Sequence, residues 1–320
     1  MSDGVRDAAG DAAGDAAGGG TPARDFGRLL TEQRNPRTME LDRLPLGEAL
    51  RVINDEDAQV AGAVRAVLGD VERAVELIVE RRRRGGRVVF VGAGTSGRLG
   101  VIEAAEQTPT LEAPDPVYQA IIAGGAECVF RSSEGAEDDA AEGARQVGLR
   151  DVTPDDVVVG VAASGSTPFV HGALGEGRRR GAGRVLVACN LAGVPDDSAD
   201  VTVAPLVGPE VLTGSTRLRA GTACKMVLNM ITVGTMLRTG KVYENLMVDV
   251  PKQSDKLLAR ATRIVRTLTG SAEPEARAAL EAAGLRAKVA VVMLRRGVDR
   301  AEAERVLDRA DGFLRAALEA

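Results

Sequence analysis

The groups best suited to chemistry in this sequence lie in short loops of glycines and hydroxyls and in nearby carboxylates. The apolar run Val88-Val89-Phe90-Val91 ends in Gly92-Ala93-Gly94-Thr95-Ser96-Gly97-Arg98, which opens into a helix-like segment carrying Glu103 and Glu106. Glycines let backbone N–H groups approach an anion, and a helix N-terminus favours negative charge. With the donors Thr95 and Ser96 beside Gly94, this reads as a phosphate cradle with a carboxylate one helix-length away. A small phosphorylated metabolite is the first substrate class it suggests. Gly92, Gly94 and Gly97 also satisfy G-x-G-x-x-G, but the next strand ends Ile121-Ile122-Ala123-Gly124-Gly125, without the acidic residue a dinucleotide ribose would use. No Gly-Lys-Ser/Thr follows the glycines, which excludes a Walker A loop.

A second loop, Ala162-Ala163-Ser164-Gly165-Ser166-Thr167-Pro168, follows the apolar run Val157–Val161. Ordinary capping explains Thr167 and Pro168, as N-cap and first helical residue. It explains Ser164 and Ser166 less well. Both loops would meet at the carboxyl edge of one parallel sheet, where such folds bind ligands. A third cluster, Gly214-Ser215-Thr216-Arg217, reads as the start of a long helix with Ser215 or Thr216 as cap. Arg217 could supply a planar cation to a phosphate or carboxylate. Glu103 and Glu106, three apart, should share a helix face. Glu134, Glu137, Asp138 and Asp139 form a second acidic cluster, which would ordinarily be a solvated surface. Spacing alone does not choose among these acids. His171 is the one histidine, and Cys128, Cys189 and Cys224 form no CxxC pair, so no metal site is expected and the thiols should be reduced. Acid–base chemistry therefore falls to carboxylates.

The elements that must position these groups read as strands alternating with helices, the pattern of a doubly wound, flavodoxin-like parallel α/β sheet. Expected strands are Arg87–Val91, Tyr118–Ile122, Asp156–Val161, Val185–Cys189 and Val201–Pro205. Residues 1–24, with three Asp-Ala-Ala-Gly copies, should be a disordered tail. Residues 25–84 read as an N-terminal helical segment, with Asn54-Asp55-Glu56-Asp57 marking a break and a start. The sheet domain should span 85–250, including a long helix from near Val211 to about Arg238. A small helical unit should fill 251–320, with Ala279, Leu280, Val289, Val292, Met293, Val306 and Leu307 in its core. The basic run Arg81–Arg84 reads as a helix end stopped by Gly85-Gly86. Aromatics are 2% and the net charge is -5, so nucleic-acid and anionic-membrane partners are not expected. No signal peptide and no segment long enough to span a bilayer is evident, which suggests a cytoplasmic protein.

From about Thr31 onward the chain resembles the N-acetylmuramic acid 6-phosphate etherases, a branch of the sugar isomerase (SIS) superfamily. The residues that carry this are Thr31-Glu32-Gln33-Arg34-Asn35-Pro36, Ile53-Asn54-Asp55-Glu56-Asp57, Gly92 to Gly100, Glu134-Gly135-Ala136-Glu137-Asp138 and Ala162-Ala163-Ser164-Gly165. Gly208-Pro209-Glu210, Leu212 to Arg217 and Asn245-Leu246-Met247-Val248-Asp249-Val250 continue it. The resemblance implies cleavage of the ether joining D-lactate to C3 of the sugar, without redox cofactor or metal, in a homodimer with sites near its interface. It also implies a UBA-like C-terminal unit and a role in cell-wall recycling. Family glutamates map onto Glu106, as proton donor to the lactyl oxygen, and Glu137, as partner acid/base acting at C2. Gly94, Thr95, Ser96, Ser164, Ser166, Thr167, Ser215 and Arg217 are the candidate substrate contacts. The chain departs from the family in Ser166 for Arg, Gln107-Thr108 for Cys-Pro and Arg219 for Lys. The alternatives on the same scaffold are an aldose–ketose isomerase, which would not need Glu106, and a non-catalytic sugar-phosphate sensor.

Overall fold

The computed structural model describes residues 27, 29–111, 117–249 and 255–319. The expected tail at 1–24 and the boundary at 250/251 lie outside these residues. A five-stranded sheet is built from β1 (Val88–Gly92), β2 (Tyr118–Ile122), β3 (Val157–Val161), β4 (Gly183–Val187) and β5 (Val201–Val203), in the order β2-β1-β3-β4-β5. Every neighbouring pair is parallel. The central strands β1 and β3 read as unbroken apolar runs because both of their faces are covered. Val88 and Phe90 point into one core, and Val89 and Val91 into the other. β4 begins ahead of the expected Val185, because polar Arg184 is held in the strand by Asp200, its Nη2 2.6 Å from Oδ1.

The helices are α1 (Leu46–Asp57), α2 (Val60–Arg65), α3 (Leu68–Arg83), α4 (Gly94–Leu111), α5 (Ala140–Gly148), α6 (Pro168–Arg179) and α7 (Arg219–Arg238). One face of the sheet is covered by α3 and α7, the other by α5 and α6. Asn54–Asp57 does not start a helix as expected: it is the last turn of α1, and Glu56 within it is buried. The basic run ends α3, and Gly85 turns the chain at φ +86°. α7 begins later than the expected Val211. At 20 residues and mean hydropathy 1.2 it is long and apolar enough to cross a bilayer, contrary to expectation. Its Ala220, Ala223, Val227, Leu228 and Ile231 are nonetheless buried in the core of the α/β unit. Cys189 and Cys224, distant in sequence, lie with their Sγ atoms 3.9 Å apart as buried free thiols.

After α7 comes a short antiparallel hairpin of β6 (Val242–Tyr243) and β7 (Leu246–Met247). Then follow α8 (Asp255–Thr269), α9 (Glu273–Ala282), α10 (Ala287–Arg296), α11 (Arg300–Arg309) and α12 (Leu314–Glu319). Leu280, Val289, Val291, Val292, Val306 and Leu307 form their core, together with Val248. Met293 sits at the margin of that core, half-buried.

Candidate active site

Strand order reverses between β1 and β3, so the loops that follow them flank the switch point of the sheet. In the first loop the glycines divide their work. A Cβ on Gly97 would lie 2.7 Å from the Gly92 carbonyl oxygen, and one on Gly92 would lie 2.6 Å from the Gly97 nitrogen. Both are therefore spent on close approach of β1 to α4, which accounts for the dinucleotide-like spacing without a dinucleotide. Gly94 supplies the turn, at φ +52°. The first helical bond runs from Gly97 N to Ala93 O at 3.0 Å. The amides of Gly94, Thr95 and Ser96 precede that ladder, the arrangement that favours an anion.

The second loop turns at Gly165 (φ +75°), where a Cβ would meet the Asn190 carbonyl oxygen at 2.5 Å. His171 fixes this turn, its Nε2 donating to the Gly165 carbonyl at 2.8 Å. Ser166 donates to Ser164 Oγ from its amide at 3.3 Å and from its hydroxyl at 3.2 Å. Thr167 is the N-cap of α6 by position, with Pro168 first in the helix, yet its hydroxyl makes no capping bond. Capping, the plain explanation for that hydroxyl, is not its use here.

Between the loops lies a cavity of about 320 Å³ lined by Gly94, Thr95, Ser96, Ser164, Ser166, Thr167 and Glu137. Glu137 reaches it from the single turn Ala136–Asp138, entered through Gly135 at φ +79°. Its neighbours in the acidic cluster do other things. Asp139 caps α5, accepting from Glu142 N at 2.8 Å, while Asp138 joins the cavity wall. Among the described residues no Lys or Arg lines this cavity. Its donors are hydroxyls, and the N-termini of α4 and α6 open onto it.

The sequence reading missed Glu32, Gly214 and Thr216, which also line the cavity. Glu32 arrives on an N-terminal arm laid over the mouth, where Gly214 N donates to Thr31 O at 2.9 Å. A buried polar cluster anchors that arm. Asn35 Nδ2 donates to Glu56 Oε2 at 2.8 Å, and Arg219 Nη1 donates to the same carboxylate at 2.9 Å and to Pro209 O at 2.8 Å. Glu210 accepts from the amides of Arg219 and Ala220, each at 2.9 Å. Burial pushes the Glu210 carboxyl above its ordinary range, against the pull of those amides. The signal for all this was present in the Thr-Glu-Gln-Arg-Asn-Pro, Ile-Asn-Asp-Glu-Asp and Gly-Pro-Glu segments, but only long-range contact reveals what they do.

Three candidates stand outside the cavity. Ser215 and Arg217 are not among its lining residues, although Gly214 and Thr216 are. Neither Ser215 nor Thr216 caps α7 as expected: the helix starts at Arg219, and Glu210 takes its first amides. Glu106 is exposed on α4, roughly three turns from Gly94, a run of about 18 Å at the α-helical rise. Glu103 does not share its exposure. It is buried, in an ion pair with Lys225, and accepts from Thr232 Oγ1 at 3.1 Å.

Residues 70–177 match the family model of the glucokinase regulatory protein N-terminal SIS domain. The phosphoheptose isomerase of Neisseria gonorrhoeae is 18% identical, with a TM-score of 0.44 over 59% of this chain and 98% of that one. The N-acetylmuramic acid 6-phosphate etherase of Mesorhizobium japonicum is 48% identical over 91% of this chain and 94% of its own length. The enzyme of the same name from Symbiobacterium thermophilum is 52% identical over 86% and 91%. At that identity and coverage, on a parallel sheet with hydroxyl loops and a carboxylate at its switch point, the chain belongs to the N-acetylmuramic acid 6-phosphate etherases, which are carbon–oxygen lyases.

Proposed function

We propose that this chain cleaves the D-lactyl ether of N-acetylmuramic acid 6-phosphate, giving N-acetylglucosamine 6-phosphate and D-lactate. The observation that carries the reading is the exposed carboxylate of Glu137 on the same cavity as Thr95, Ser96, Ser164, Ser166 and Thr167. The hydroxyls and the two helix N-termini suit the 6-phosphate. An alkyl ether is a poor leaving group, but in the open-chain sugar the C1 aldehyde acidifies the C2 proton. Glu137 takes that proton, the C3–O bond breaks with its electron pair going to the lactyl oxygen, and an acid protonates that oxygen. Water then adds at C3 of the unsaturated aldehyde, and a proton returns to C2. Each positioned proton transfer is worth roughly 10²–10⁴ in rate.

Glu106 is the acid in this scheme. At about 18 Å along α4 from Gly94, Glu106 suits the cavity of a second copy of the chain better than that of its own. A two-fold dimer provides that arrangement symmetrically, each copy lending Glu106 to the other. The protein then works as a homodimer, and its cytoplasmic role is the recycling of cell-wall sugars.

The test is incubation with N-acetylmuramic acid 6-phosphate in deuterated water. D-Lactate release with deuterium at C2 is expected, whereas ketose formation without lactate would overturn the etherase reading in favour of an isomerase. The donation between copies is tested by mixing Glu106→Gln with Glu137→Gln, each inactive alone. Recovery of activity after subunit exchange is expected, and no recovery would mean both glutamates act within one chain.

A further inference from the structure

The cavity described above has a neighbour. A second hollow of about 230 Å³ lies across Ala93, Gly94 and Glu137, which line both. Its chemistry differs sharply from the first. It is lined by Arg98, Arg131, Ser132 and Ser133, with Glu134 as its further acid. Arg98 is oriented by its Nε, which donates to the Val129 carbonyl at 2.8 Å. Among the described residues no carboxylate forms an ion pair with Arg98 or Arg131, and the neighbouring hydroxyl cavity has no described Lys or Arg in its lining. Unpaired guanidiniums beside an acid–base residue are set up to receive an anion, and their planar fork matches a carboxylate.

The substrate of the proposed reaction carries two anions at opposite ends, a 6-phosphate and a lactyl carboxylate. The hydroxyls and helix N-termini of the first cavity suit the phosphate. We propose that the Arg98–Arg131 hollow is the receptor for the lactyl carboxylate. The inference rests on the etherase reading and adds to it the residues that distinguish the ether substrate from its lactate-free product. With the phosphate in one hollow and the lactyl carboxylate in the other, the sugar carbons between them pass Glu137 on the shared wall. C2, which gives up a proton, and C3, which loses the lactyl oxygen, then lie beside the residue that handles the proton. After cleavage the lactate is held by the arginines alone, no longer tethered to the phosphate end, and can leave first.

The experiment compares two ligands that differ only in the lactyl group. Arg131→Met and Arg98→Met are assayed for KM with N-acetylmuramic acid 6-phosphate and for competitive inhibition by N-acetylglucosamine 6-phosphate. The KM should rise about ten- to a hundredfold, the range of a lost hydrogen-bonded charge contact, while the inhibition constant of the sugar product stays unchanged. D-Lactate inhibition of the wild type should be lost in both variants, and Arg131→Lys should recover part of the affinity. An equal loss for both ligands would overturn the proposal and place the arginines on the phosphate. Unchanged values for both would overturn it as well. Arg131 is exposed, so its variant reports even if Arg98→Met fails to fold. If the wild type itself releases no lactate, the etherase reading fails; if it does and the variants keep their discrimination, only the assignment of this hollow fails.

Discussion

Charge is used in opposite ways on the two sides of the Glu32 arm. The cavity is lined by hydroxyls, helix N-termini and the exposed carboxylates of Glu32, Glu137 and Asp138. Beside α7, Glu56, Glu210 and Arg219 are 2%, 0% and 3% exposed and are bound to each other and to backbone groups. A buried charge is tolerated only when paired, and a paired charge is a poor catalyst because its proton affinity is already committed. The molecule keeps both kinds of carboxylate near one cavity: one set holds the arm and the α7 end in place, the other remains free to react.

Replacing one member of each set tests that division. Glu137→Gln should lower lactate release by roughly 10²–10⁴ and leave the thermal midpoint where it was. Arg219→Met should do the reverse. It takes from Glu56 and the Pro209 carbonyl their buried cation and leaves Glu56 only the exposed Arg37, 3.1 Å away, a loss of about 3 kcal/mol in urea unfolding, and affects turnover only as the arm loosens. If Arg219→Met kept its stability while losing turnover, Arg219 would belong to the catalytic side.

Much of the α/β unit was legible because a strand buried on both faces must be apolar along its whole length, as Val88–Val91 and Val157–Val161 are. The cavity was legible in part for the same reason: loops that follow such strands end at one edge. Glu137 could be reached only through family resemblance, since nothing local distinguishes it from Asp138 or Asp139. Glu32 was missed because a short arm has no periodicity, and its place depends on Asn35, Glu56 and Arg219, which meet from distant parts of the chain. The start of α7 was misread because a hydroxyl near a helix start is usually the cap, whereas here the Glu210 carboxylate takes the amides.

Thr167 gives a smaller and finer test of what is structural. Its hydroxyl makes no capping bond although it holds the N-cap position of α6. Removing a working cap hydroxyl costs roughly 0.5–2 kcal/mol of stability. Thr167→Val should cost almost none of that, and should instead raise KM by the few-fold expected for about 0.5–1.5 kcal/mol of a lost hydrogen bond. A fall in stability with KM unchanged would return Thr167 to ordinary capping.

The smallest effect separates two buried carboxylates by the sign of their pH dependence. Burial pushes Asp156 up, but hydrogen bonds from the Arg87 side chain and from the Thr153 and Arg87 amides outweigh it, and its pKa is lowered from the ordinary 3.8. A lowered folded-state pKa stabilises the protein above the unfolded value, and that contribution is lost as pH falls through the folded value. Glu210 is raised from 4.5, chiefly by burial. Its contribution is complete below the unfolded value and is lost as pH rises through the folded one. Unfolding free energies of the wild type, Asp156→Asn and Glu210→Gln, measured against pH, should therefore diverge in opposite senses. The gap between wild type and Asp156→Asn should narrow as pH drops below about 3.8, and that between wild type and Glu210→Gln should shift against the wild type as pH rises above about 4.5. Parallel curves for Glu210→Gln would mean that the α7 amides hold its carboxyl ionised as easily as water does, and the buried cluster would then be no different from the cavity in how it carries charge.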